Sequence, residues 1–161
     1  MEVGPFQAAV ATLLEEVLIG PPDPRGTWLV SNEADSGVLG TLRRVDAATA
    51  MRTGAAGTSA AQHAAHLRFA LSLANRALRG ENPYPTADWK SSWRLSGTGE
   101  AAWREVLAGL EDEVARLREA VAGPISVEGA DETMGGVALV GHCAYHLGAI
   151  RQLVGGTAPD A

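Results

Sequence analysis

An all-α fold is predicted for this sequence: a four-helix bundle with two long connections, one of them carrying an extra short helix. Three observations carry that expectation. Apolar residues recur at steps of three and four over four separate stretches, residues that start or stop helices flank them, and no stretch alternates convincingly as a strand would. Segments of roughly 15–23 residues would each be about 23–35 Å long by helical rise, which suits a bundle.

The first helix is expected from Pro5 to Ile19. Phe6, Val10, Leu13, Leu14, Val17 and Leu18 recur at helical spacing, Pro5 suits an opening turn, and Gly20-Pro21-Pro22 ends the element. The region from Pro21 to Gly57 is too long to be structureless inside a compact domain. A short helix from about Ser36 to Met51 fits the stripe Val38, Leu39, Leu42, Val45 and Ala48, although Gly37 and Gly40 weaken its first turn. Trp28 and Leu29 are expected to pin the preceding loop to the bundle, with the wall of a pocket as the alternative.

The second long helix is announced by Ser59 and Gln62 at capping-box spacing and runs to Gly80. Its polar side reads as Arg68, Ser72, Asn75, Arg76 and Arg79, and both His63 and His66 fall away from that side. Periodicity does not choose between them. Pro83, Pro85 and the segment Asp88 to Trp93 form the second long connection, whose tryptophans either anchor it or cover the mouth of a cavity. The third long helix runs from about Gly99 to Val121, with Trp103, Leu107, Leu110, Val114, Leu117 and Val121 as its seam and a charged run facing water. Gly123-Pro124 stops it, Ile125 to Val127 reads as a short extended link, and the fourth helix begins near Thr133.

That fourth helix carries the chemistry. His142 and His146 are four residues apart, so on a helix they sit one turn above the other, about 5–6 Å apart at Cβ, and can grip one metal ion. His146 falls within the apolar arc of Leu139, Cys143, Leu147, Ile150, Leu153 and Val154, and His142 lies at its edge. A hydrogen-bonded core histidine beside a surface histidine would give the same spacing. The inward histidines of the second helix weigh toward a shared site.

Composition bounds the rest. A length of 161 residues and 46% hydrophobic content suit one domain over 1–161 with a real core. The net charge of −6, with scattered basic residues, offers no footprint for nucleic acid. One cysteine makes no internal disulfide, no stretch reaches about 18 uninterrupted apolar residues, and no signal-like start is seen. A cytoplasmic protein with no membrane association is the resulting expectation.

Two segments, Thr58–Phe69 and His142–Gln152, carry a resemblance over nearly the whole chain to the DinB/YfiT-like superfamily of four-helix-bundle metalloenzymes. The resemblance implies His66, His142 and His146 as metal ligands, because His66 precedes Leu67 in the family's His-Leu pattern. His63 then becomes a neighbour one turn away. Three neutral imidazoles suit a divalent ion, Zn²⁺ or Ni²⁺ above all, with a position left open. The family implies a transferase that activates a low-molecular-weight thiol, of the bacillithiol, mycothiol or glutathione type, toward an electrophile, and it implies a homodimer. The alternatives are a non-catalytic bundle, metal-stapled or metal-free, with a stress-related binding or structural role, and a metal-dependent hydrolase. Cys143 faces the packed arc and is expected to be core, not a substitute for the external thiol.

Overall fold

The computed structural model describes residues 4–123 and 129–155, and within them the chain is all helical with no strand. Four long helices, α1 (Pro5–Leu18), α4 (Ala60–Leu78), α5 (Gly99–Ala122) and α6 (Ala130–Gly155), form the bundle, while α2 (Val38–Arg43) and α3 (Ala47–Met51) occupy the first connection. Around the bundle, α1 lies against α5 and α6, and α4 lies against the same two. The chain therefore crosses the bundle diagonally from α1 to α4 and again from α5 to α6. The expected extended link at Ile125 to Val127 lies outside the described residues, and α6 begins three residues earlier than Thr133.

The core follows the sequence stripes. Leu14, Val17 and Leu18 of α1, Leu67 and Leu71 of α4, Leu110, Val114 and Leu117 of α5, and Cys143, Leu147 and Ile150 of α6 are buried together. The single short helix expected over Ser36 to Met51 is instead two. The chain turns after Arg43, and Asp46 starts α3 afresh by accepting the Thr49 N–H at 2.7 Å. Val45, read as part of the stripe, uses its carbonyl to accept the Trp103 indole N–H at 3.0 Å, which ties this junction to α5. Gly37 and Gly40 are sites of close approach: a Cβ at Gly37 would run into the Ile19 backbone, and one at Gly40 into the Asp35 carbonyl.

Trp28 does not anchor its loop. Its side chain is 79% exposed and Leu29 is also exposed. The loop is held through its backbone instead. Glu16, 1% exposed in α1, accepts the N–H groups of Trp28, Leu29 and Val30 on one carboxylate oxygen at 2.7, 2.5 and 3.0 Å. A buried carboxylate must find such donors, because its desolvation is otherwise uncompensated. Asn75 likewise belongs to the interior despite its place on the polar side of α4, since its amide donates to the Glu113 carbonyl at 3.0 Å and carboxylate at 2.8 Å.

Glu16→Ala is expected to destabilise the protein by about 3 kcal/mol, because three loop amides lose their acceptor. Trp28→Ala should stay within about 0.5 kcal/mol of the parent, as exposed substitutions usually do. Urea unfolding of the two variants checks the contrast, and a larger loss from Trp28→Ala would refute the backbone account.

Candidate metal centre

The start of α4 is fixed by its capping box. Gln62 N–H donates to Ser59 Oγ at 3.3 Å, and the Ser59 N–H donates to Gln62 Oε1 at 3.0 Å. The same Gln62 amide donates from Nε2 to the Trp93 carbonyl at 3.3 Å. One side chain thus sets both the first turn of α4 and a 3₁₀ turn, Ser91–Trp93, in the second connection. That turn lies over the face of α4 that carries His63 and His66.

Helix α4 packs against α6, which brings four histidines together. His63, His66 and His146 are 4%, 6% and 1% exposed. His142 is half-buried, and its Nε2 is sealed from solvent with no hydrogen-bond partner. His66, His142 and His146 form a group able to hold a metal ion, each offering a nitrogen within 4.8 Å of the others. Their ring centroids are 4.5 Å apart for His142 and His146, 5.0 Å for His66 and His146, and 5.3 Å for His66 and His142.

The surroundings of His66 fix which of its nitrogens is free. Ser92 Oγ donates its one proton to the Trp89 carbonyl at 2.6 Å, so it must accept from His66 Nδ1–H, 2.6 Å away. His66 then keeps a lone pair on Nε2. His146 Nδ1 is 2.9 Å from His63 Nδ1, and His63 Nε2 is 3.1 Å from Thr58 Oγ1. Both contacts are satisfied by donation in either order along this chain, and donation from His146 to His63 and from His63 to Thr58 is the order that leaves the Nε2 lone pair of His146 free for a metal. Metal-binding histidines use one nitrogen for the ion and hydrogen-bond through the other, and this arrangement supplies that pattern twice. The Trp93 ring stacks on His66 at 4.2 Å and 19°, and meets His63 edge-on at 5.1 Å, so the second connection both anchors itself and roofs the histidines.

Electrostatics agree with a neutral donor set. Burial, reinforced by His142 and His63, pushes His66 down to about 4. Burial and the three neighbouring histidines push His146 down to about 3. Burial alone lowers His63 and His142. Neutral imidazoles with open lone pairs and an orphaned buried Nε2 fit a divalent ion of the Zn²⁺ or Ni²⁺ kind. The cluster does not include Cys143, whose thiol is fully buried and pushed up to about 12 by desolvation.

A cavity of about 900 Å³ lies between α1, α4, α5 and α6 and reaches the cluster at His142, with Trp89 beside it. Two other clefts, of about 560 and 480 Å³, touch none of the four histidines. Residue spacing had pointed to His142 and His146 and to two inward histidines on α4. Ser92 and Thr58 carried no such signal, since their hydroxyls reach the site only through the folding of two loops.

Set beside protein-family models, curated proteins and solved structures, the chain matches none of them. Among the described residues, no helix is long and apolar enough to cross a membrane.

Two outcomes follow from this geometry. His63→Ala is expected to weaken metal affinity about 10–100-fold while circular dichroism stays helical, because His146 loses the acceptor that fixes its tautomer. In the metal-free protein, the unfolded histidines titrate near 6.5, whereas folded His66 and His146 titrate near 4 and 3. The unfolded chain therefore binds more protons, and stability falls as pH drops from about 6.5 toward 3. Urea midpoints across that range, compared with those of His146→Leu, check the sign: the variant should show the shallower loss.

Proposed function

We propose that this chain is a divalent-metal protein in which His66, His142 and His146 hold the ion, and that it works as a transferase joining a low-molecular-weight thiol to an electrophile. The observation that carries the reading is the trio of neutral nitrogens within 4.8 Å of one another, bordered at His142 by a cavity. A closed structural site surrounds its metal with protein ligands, whereas three ligands beside open space favour an exchangeable position. When bound, the ion lowers the pKa of a thiol or water that reaches it and so provides a nucleophile near neutral pH. The thiol is favoured by the likeness to DinB-like proteins.

The chain's own residues perform the supporting tasks. Ser92 and His63 hold two of the imidazoles in the ligating tautomer. The Trp93 ring covers His66 and keeps water from that side. In the transfer, the thiol S–H proton passes to solvent, a carbon–sulfur bond forms, and the electrophile's leaving group departs or its strained ring opens. No protein base is needed, and none of the four histidines stands free to be one.

Purified protein is expected to contain about one Zn or Ni per chain by elemental analysis, and His142→Ala should lose it with the helical fold retained. Turnover of a model electrophile should require both added thiol and metal. Metal-loaded protein that neither binds cellular thiols nor turns over would leave a metal staple between α4 and α6. Activity without thiol would mark a hydrolase.

A further inference from the structure

The cavity has a shape and chemistry of its own. Bundle interiors seldom leave voids larger than a water molecule, yet here a solvent-open cleft of about 900 Å³ runs between four helices, with exposed Phe6, Tyr84 and Trp89 among its lining residues. The cause is visible on α4. Ala70, Ala74 and Ala77 take up the seam positions that follow Leu67, where a packed bundle would place larger side chains, and all three line the space. The opposite walls are aliphatic, including Leu14, Leu117, Val121 and Leu139.

Polar groups lie at the two ends. His142 marks one end, with its buried Nε2 unpartnered. Asp131 and Glu132, exposed in the first turn of α6, mark the other. Ten helical residues separate Glu132 from His142, about 15 Å by rise. The Gln7 amide on the wall is already committed to the Val121 and Gly123 carbonyls. Between its ends the walls formed by the four helices are mainly aliphatic, and the polar side chains of Asn82, Tyr84 and Trp89 enter only from the second connection.

We infer that the cavity between α1, α4, α5 and α6 binds an elongated, uncharged hydrocarbon tail of roughly ten to twelve carbons, since a zigzag chain with bonds of about 1.5 Å advances about 1.25 Å per bond, and that the polar, reactive head of the same molecule lies at His142. The electrophilic substrate is then an alkyl or arylalkyl compound. The acidic mouth disfavours a tail ending in a carboxylate. This rests on the metal reading for the head group and on the cavity alone for the tail.

The two parts are tested separately. With zinc-loaded protein, calorimetry should show decanohydroxamate binding far more tightly than acetohydroxamate, by about fourfold per added methylene over the first several carbons. Ala74→Leu and Ala77→Phe, which project bulk into the cavity away from the histidines, should remove most of that chain-length gain while leaving acetohydroxamate affinity and zinc content unchanged. With metal-free protein, 1-decanol should still bind and should do so less well in both variants. Decanol binding without any zinc uptake would refute the metal reading and leave the tail site standing. Equal affinity for the two hydroxamates, or a chain-length gain untouched in both folded variants, would overturn the tail site.

Discussion

Burying four imidazoles against one another is the constraint around which the rest of this structure is arranged. Each ring costs solvation on leaving water, and neighbouring positive charges would repel, so the cluster persists with neutral rings, three of which are held by a hydrogen bond at one nitrogen or more. Thr58 at the head of α4, Ser92 in the second connection, and the mutual contact of His63 and His146 meet that demand. The second connection is thus part of the site. Its register over α4 depends on Gln62, which serves the helix cap and the Trp93 carbonyl at once.

The bundle itself was legible because its signals are local. Stripes at helical spacing, the capping box of Ser59 and Gln62, and the Gly-Pro stops each act within a few residues, and the long helices follow them. What local reading missed are contacts made at a distance. Glu16 is an acid among the apolar residues of the first helix, yet its carboxylate organises a loop twelve to fourteen residues away. Asn75 sits on the polar arc of α4 but turns to α5, whose backbone offers an acceptor. Asp46 falls within the span of the one short helix expected over Ser36 to Met51, and only the Thr49 N–H reveals it as a cap.

The candidate site divides the same way. The spacing of His142 and His146 and the inward bias of His63 and His66 could be read from the helical wheel, while choosing between the α4 pair needed coordinates. The geometry separates them by role: His66 joins the group able to hold an ion, and His63 stands behind His146. In the sequence, the alanines of the α4 seam carry no signal of their own. In three dimensions they are a localised deficit of volume beside His142, which divides the bundle into a leucine-filled end and an open one.

Cys143 sits in α6 between the two histidines of that helix, yet it turns into the leucine-filled core and shows no surface. It is the only sulfhydryl in the sequence, and burial keeps it protonated. Thiolate is the reactive form toward alkylating reagents, so the native fold withholds this atom from them. A maleimide dye added to the protein becomes a gauge of unfolding, with labelling kinetics that report how often the α6 core opens.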